Sequence, residues 1–364
     1  MAGLLHDVLA EGVKAGASDV HIKENSPIHY RIDGDLVDCN FVPDGDYLDA
    51  VINEMVTDQN HLSKFMQHGD LDISYVEPEV GRFRVNIHRE RGGKCLTMRH
   101  VKSKIASANE LNLPPVIQQI AEAPRGIVIL AGTTGSGKST TLASMLQHVN
   151  ENFNRHIITI EDPIEYEFFD SKSFFEQREV GIDTISFNSA LKHALRQDPD
   201  IIMVGEMRDR ESFEAALQAA DTGHLVMSTL HSSTAPQTIN RILDFYDREE
   251  QDPIREALAI NLKAIVAQRL VPKAFGGGVV PAVEIMVNNA TIRKLIQENN
   301  LEKLLTVIEG SGNEGMQTFN QSLLQFVNDG MITEEDAMIN SNNPDQLKMN
   351  MKGIFLGSDR SIIG

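Results

Sequence analysis

The residues best suited to chemistry form a glycine-rich loop, Gly132–Ser139, whose sequence is GTTGSGKS. The loop fits the P-loop pattern at every fixed position, and its glycines allow backbone N–H groups to curl around a polyanion. Lys138 can reach the β- and γ-phosphates of a nucleotide, and the Ser139 hydroxyl can hold Mg²⁺. The sequence therefore predicts a nucleotide cradle made of Gly132, Thr133, Thr134, Gly135, Ser136, Gly137, Lys138, Ser139 and Thr140.

Acidic residues follow two apolar runs that are typical of buried strands. Three acids within Glu161–Glu165 come directly after Ile157–Ile160, and Glu206 follows Ile201–Val204 with one glycine between. Nucleotide hydrolysis needs a metal held beyond the P-loop and a positioned water. Ligands of open α/β sheets bind at the carboxyl ends of the strands, where these acids lie. The acids are therefore candidates for holding Mg²⁺ or activating water, and solvated acidic turns are the alternative.

Two histidines lie at the ends of a third predicted strand, Gly223–His231. A continuous strand of this length separates His224 from His231 by roughly 23 Å, which is too far for one metal ion to bind both. His231 lies at the carboxyl end, where it could sense the γ-phosphate or orient a water. A purely structural histidine is the alternative.

A basic cluster stands out in an otherwise acidic chain: Arg82, Arg84, Arg89, Arg91 and Arg99. An arginine offered to a nucleotide from another domain or subunit could neutralise charge in the transition state of phosphoryl transfer. A solvated strand face with ordinary ion pairs is the alternative.

The elements that must position these residues fall into four segments of the 364-residue chain. Residues 1–100 form a small α+β unit, in which Tyr47–Met66 has helical spacing, and residues 101–115 are a linker. Residues 116–272 alternate buried strands with helices, which predicts an α/β sheet with crossovers. Residues 273–364 are mostly helical.

Composition limits the class of protein. The formal net charge of −19 works against sequence-independent binding of nucleic acid, which depends on basic surface. The apolar runs are far shorter than the ~20 residues that cross a bilayer, and the first residues do not resemble a secretory signal. We therefore expect a cytoplasmic protein. Cys39 and Cys95 lack metal-type spacing and are expected to be reduced thiols.

Six segments in this order resemble the type IV pilus retraction ATPases, the PilT and PilU group of the type II/type IV secretion ATPase superfamily. The resemblance runs from about Leu4 to Asp336. Besides the P-loop, it rests on Ala17–Ile22, Arg82–Asn86, Thr159–Tyr166, Asp198–Asp209 and Thr222–His231.

The resemblance implies roles for individual residues and an architecture. Glu165 would activate the attacking water, Glu206 would support Mg²⁺ as the Walker B acid, and His231 would sense the nucleotide state. Arg84 and Arg99 would reach the nucleotide from the N-terminal domain. A PAS-like N-terminal domain and a RecA-like ATPase domain would assemble into a homohexameric ring. With ATP and Mg²⁺, the ring would act on an inner-membrane platform protein and drive pilus retraction.

The C-terminal part distinguishes branches of this family. Ala290–Glu298 resembles the AIRNLIRE signature of retraction motors, whereas Gly315–Leu323 and Asp345–Asp359 look more like PilU than PilT. Two alternatives to a self-sufficient retraction motor therefore stay open. One is an accessory, PilU-like ATP-binding ring subunit with weak turnover that assists a paralogous motor. The other is a type II secretion or DNA-transfer ATPase.

Overall fold

The computed structural model describes residues 4–32 and 34–354, apart from the side chains of residues 59–61 and 64. The last residues of the PilU-like segment, 355–359, therefore lie outside the described residues. The contacts of the chain divide it into two compact units. The first comprises Met1–Lys104 together with Glu165–Glu167, and the second comprises Ile105–Ile164 and Phe168–Gly364.

The first unit is built on a six-stranded antiparallel sheet with strand order β3-β2-β1-β6-β5-β4. Side chains alternate across β5, where Phe83, Val85 and Ile87 are buried and Arg84 is exposed. This period of two places one face of the sheet on the core. The elements are α1 (His6–Lys14), β1 (Asp19–Lys23), β2 (His29–Ile32), β3 (Asp35–Asp38), α2 (Gly45–Met55), α3 (Gln59–His68), β4 (Asp70–Glu77), β5 (Gly81–Glu90) and β6 (Gly93–His100).

The single helix expected over Tyr47–Met66 is wrong, because two helices occupy the region. Helix α2 begins after Asp44, whose side chain accepts a hydrogen bond from the Tyr47 N–H at 2.8 Å. It ends at Met55, and the backbone of the next residue, Val56, leaves the helical region. The β-branched pair Val56 and Thr57 disfavours continuation, because such side chains lose rotamer freedom in a helix.

The second unit is built on a seven-stranded sheet with order β13-β12-β7-β11-β10-β8-β9. All neighbours are parallel except β12 and β13, which are antiparallel. Every residue of β7, β10 and β11 is buried, as expected for strands covered on both faces. The elements before β12 are α4 (Val116–Ala121), β7 (Gly126–Ala131), α5 (Lys138–Asn152), β8 (His156–Glu161), β9 (Phe174–Glu179), α6 (Phe187–Ala194), β10 (Ile201–Val204), α7 (Arg210–Asp221), β11 (Leu225–Leu230), α8 (Ala235–Leu243) and α9 (Gln251–Asn261).

The remaining elements complete the sheet and add helices. Up to residue 354, five helices follow the two strands, together with two short 3₁₀ turns at Leu301–Lys303 and Gly312–Glu314. These elements are β12 (Leu262–Pro272), β13 (Val279–Val287), α10 (Ala290–Gln297), α11 (Leu304–Gly310), α12 (Phe319–Asn328), α13 (Glu334–Asn340) and α14 (Pro344–Met351). The segment expected to be mostly helical from residue 273 therefore begins with a strand of the main sheet.

Among residues 4–32 and 34–354, no helix is long and apolar enough to cross a bilayer.

Candidate active site

Several candidate site residues of the second unit follow strands that end at the same edge of its sheet. Ala131, which precedes the P-loop, pairs with Leu230, which precedes His231. Val204 pairs with both Ser228 and Ile160 on its two neighbouring strands. Because these strands are parallel, their carboxyl ends meet at the same edge. The fold thus places the P-loop, Glu206 and His231 at the position where α/β proteins bind ligands.

The P-loop holds its lysine close to its own backbone. Lys138 begins helix α5 and is only 8% exposed. Its Nζ donates hydrogen bonds to the carbonyl oxygens of Gly132 at 2.8 Å and Thr133 at 3.0 Å. Gly137 precedes it with φ +85°, a conformation that favours glycine. The loop therefore holds an ammonium group at the N-terminal end of α5, and both the charge and the helix end favour an anion there.

A cavity of about 280 Å³ lies against this loop. Within it, the Ser136 hydroxyl is buried and has no hydrogen-bond partner among the described residues. A buried hydroxyl without a partner is costly unless a ligand or water completes its bonding. The loop thus fits the phosphates of a nucleotide. The cavity is lined by Gly132, Thr133, Thr134, Gly135, Ser136, Ser233, Gln268, Arg269, Leu270 and Asn340.

Glu206 and His231 come together beyond the ends of β10 and β11. Nε2 of His231 lies 3.3 Å from Oε1 of Glu206, while Nε of Arg208 donates to Oε2 of Glu206 at 2.7 Å. The hydrogen bond to Glu206 raises the pKa of Arg208 above its usual value. Glu206 and His231, which were separate candidates in the sequence, therefore form one connected group with the Arg208 guanidinium.

The other candidates along these strands have structural partners. Glu161 is buried and accepts hydrogen bonds from the Thr159 hydroxyl at 2.7 Å and from Nε2 of Gln177 at 3.1 Å. His224 lies within 3.0 Å of the Ala219 carbonyl oxygen through its Nδ1. These contacts attach each residue to neighbouring backbone or strands, as expected for residues that support the fold.

The remaining predicted site residues belong to the first unit. Arg84 and Arg99 are directly opposite each other on β5 and β6. Nε of Arg99 donates to Oδ1 of Asp19 at 2.7 Å. Burial opposes the ionisation of Asp19, but hydrogen bonds from Ser18 and Arg99 prevail and lower its pKa below the usual range. Glu165 is exposed and belongs to the Glu165–Glu167 segment assigned to this unit.

Two polar residues near the P-loop end of the sheet were missed from the sequence. Gln268 on β12 is hydrogen-bonded to the P-loop region, with Nε2 donating to the Ser136 carbonyl oxygen at 2.8 Å. Glu284 on β13 is 1% exposed, and its Oε1 accepts the Ala235 N–H at 2.8 Å. Burial raises the pKa of Glu284 to about 7. The sequence signal for both residues is a polar side chain inside an apolar run. Neither β12 nor β13 was predicted as a strand, so this signal was not used.

Comparison with known proteins gives this site its context. Residues 1–277 match the model of the family described as type II/IV secretion system protein. The chain belongs to this family.

Similar members of the type II/IV secretion system family act in type IV pili. The chain is 41% identical to the type IV pilus retraction ATPase PilT of Pseudomonas aeruginosa over 91% of this chain and 96% of that protein. It is 36% identical to the type IV pilus ATPase PilU of the same organism over 95% of this chain and 90% of that protein. A crystal structure of the pilus retraction motor PilT with bound ADP is 41% identical, with a TM-score of 0.87 and coverage of 96% and 99%.

Proposed function

We propose that this chain is an ATP-hydrolysing motor that drives type IV pilus retraction. The observation that carries the proposal is the P-loop with its buried Lys138, placed at the same sheet edge as the Glu206–His231 pair. This geometry occurs in a chain that is 41% identical to a pilus retraction ATPase over most of its length. The ADP bound in the similar PilT crystal structure supports a nucleotide as the ligand.

Each site residue has a proposed task, which for Glu165, Arg84 and Arg99 rests on the resemblance to the retraction ATPases. Lys138 exchanges its bonds to the loop carbonyls for bonds to the β- and γ-phosphates, which neutralises charge on the transferred group. Ser139 and Glu206 hold Mg²⁺, directly or through water; when bound, Mg²⁺ supplies positive charge to the phosphates. His231 responds to Glu206 through their shared contact. Glu165 activates the attacking water, and Arg84 and Arg99 stabilise the transition state.

The proposed assembly is a homohexameric ring that acts on an inner-membrane platform protein from the cytoplasmic side. The antiparallel sheet of the first unit supports a PAS-like domain over residues 1–100, followed by a linker over 101–115. The parallel sheet and P-loop support a RecA-like core over 116–272, and the final helices support a C-terminal region over 273–364 whose first strand completes the core sheet.

A second candidate is an accessory ring subunit that binds ATP, turns it over slowly and assists a paralogous motor. The similarity to PilU over 95% of this chain favours it. Both candidates require nucleotide binding, so the rate of turnover separates them.

The deciding experiment is Mg²⁺-dependent ATP turnover by the purified chain, beside Glu206→Ala and with ADP affinity measured in parallel. Turnover that is lost in Glu206→Ala supports a self-sufficient motor, and pilus retraction in a deletion strain is the next measurement. Tight ADP binding with negligible turnover would favour the accessory subunit. Absence of nucleotide binding would contradict both.

A further inference from the structure

Gln268 connects the P-loop to strand β12, which is far from the loop in sequence. The residue is 2% exposed on β12, where its neighbour Ala267 pairs with Ala131 at the start of the P-loop. Its Nε2 donates to the Ser136 carbonyl oxygen at 2.8 Å, and its Oε1 accepts a hydrogen bond from the Thr141 hydroxyl at 2.8 Å. One buried amide therefore holds both the loop and the first turn of the helix that follows.

The loop backbone also approaches Gln268 closely at two glycines. A Cβ atom on Gly137 would lie 2.7 Å from Nε2 of Gln268, and one on Gly132 would lie 2.7 Å from its backbone oxygen. Contacts this short leave no room for a side chain. A side chain at either of these two loop glycines would therefore force the loop or Gln268 to shift.

We propose that Gln268 is a positioning residue that fixes the P-loop in its phosphate-binding form; this rests on the proposed function. The Ser136 carbonyl and the Gly137 N–H belong to one planar peptide group and point in opposite directions. When Nε2 of Gln268 holds that carbonyl, the Gly137 N–H is held pointing away from Gln268. Removal of the Gln268 amide frees this peptide group to rotate. The Gly137 N–H, which is one of the donors available to phosphate, then loses its fixed direction.

The test compares Gln268→Met with wild type and with Gln317→Met as a matched control. Methionine keeps the approximate shape of glutamine and removes both hydrogen bonds. In the control, Gln317 loses the hydrogen bond that its Nε2 donates to the Val283 carbonyl at 3.0 Å, on the β13 side of the sheet. The dissociation constant for a fluorescent ADP analogue is measured well below the melting temperature of each protein.

We expect Gln268→Met to raise the ADP dissociation constant about tenfold and the control to change it less than about twofold. The KM for ATP should rise in parallel, while kcat at saturating ATP changes less than about threefold, because both polar atoms of the Gln268 side chain are bonded to the protein, at Ser136 and Thr141. A purely structural role would lower the melting temperature of both variants and leave ADP affinity unchanged. An unchanged ADP dissociation constant in folded Gln268→Met would overturn the inference.

Two further variants keep the test decisive. The double variant Thr141→Val/Gln268→Met should bind ADP no more weakly than Gln268→Met alone, because the hydrogen bond of Thr141 is made to Gln268. If the two substitutions instead weakened ADP binding independently, so that their effects on the dissociation constant multiplied, this would count against the inference. If Gln268→Met does not fold, Gln268→Glu keeps the acceptor for Thr141, loses the donor to Ser136 and should also weaken ADP binding. Failure of wild type to bind ADP would overturn the proposed function together with this inference, whereas wild-type binding with an unaffected Gln268→Glu would overturn the inference alone.

Discussion

Nε2 of His231 lies 3.3 Å from Oε1 of Glu206, at the ends of two adjacent parallel strands. The second carboxylate oxygen of Glu206 accepts a hydrogen bond from Nε of Arg208 at 2.7 Å. Any cation that draws the carboxylate away must therefore loosen the contact with His231. This relationship connects the proposed Mg²⁺ ligand Glu206 to the segment that follows β11.

Glu206→Gln is expected to reduce ATP turnover by a factor of about 100 or more, since the neutral amide keeps the shape but cannot balance the charge of Mg²⁺. ADP affinity without Mg²⁺ should change less than about threefold. His231→Gln should reduce turnover by a smaller factor, about tenfold. Steady-state turnover and ADP titrations measure these effects, with Glu214→Gln on exposed α7 surface as the control. Near-wild-type turnover in Glu206→Gln would contradict the assignment.

Lys138→Ala should abolish ATP turnover and weaken ATP binding, because it removes the cation that the P-loop holds against its own carbonyls. Its side chain is buried, so the melting temperature is measured in parallel to confirm folding. Lys172→Ala is the matched control, because it removes an exposed lysine; it should leave turnover unchanged. Substantial turnover in pure Lys138→Ala protein would refute the P-loop assignment.

Arg84→Ala should reduce turnover while leaving the unfolding free energy within about 0.5 kcal/mol of wild type, since its side chain is exposed. Arg99→Ala should reduce turnover and also cost about 1–3 kcal/mol, because it removes the charged donor to buried Asp19 and leaves only the hydrogen bond from the Ser18 hydroxyl. Arg99→Lys should restore part of that stability. The exposed Arg91→Ala is the control. Wild-type turnover in both alanine variants would eliminate the proposed role.

The sequence predicted the central strands and the P-loop well because their physical causes are local. A strand buried on both faces, such as Ile201–Val204, must be continuously apolar, and a phosphate cradle must be rich in glycine. Strand β13 was not predicted, because residues 273–364 were expected to be mostly helical. This strand contains Pro281 and lies at the sheet edge, where proline is tolerated.

The contacts that complete the site depend on residues far apart in sequence. Gln268 meets Ser136 across a separation of 132 residues, and no spacing rule connects them. The Glu206–His231 contact depends on the order of β10 and β11 in the sheet, which the apolar runs alone do not give. The sequence could therefore indicate candidate residues but not their partners.

The buried carboxyl of Glu284 should make the stability of the chain depend on pH between about 4.5 and 7. Burial raises its pKa in the folded state from 4.5 to about 7, with the Ala235 N–H and Arg269 acting in the opposite direction. The unfolded chain therefore loses this proton first as the pH rises. The favourable contribution is present below pH 4.5 and is lost as the pH rises to 7, to the extent of roughly 3 kcal/mol.

Glu284→Gln removes the titrating group and keeps an oxygen that can accept the Ala235 N–H. The unfolding free energy of this variant should fall less steeply than that of wild type between pH 4.5 and 7, and the two curves should run parallel above pH 8. Denaturant unfolding at several pH values measures the difference, in which the titration of all other groups cancels. Gln317→Glu, which places a carboxyl at a half-buried position, tests whether deep burial is required. Parallel curves for Glu284→Gln and wild type across the whole range would show that the pKa of Glu284 is the same in the folded and the unfolded chain, which would contradict the prediction.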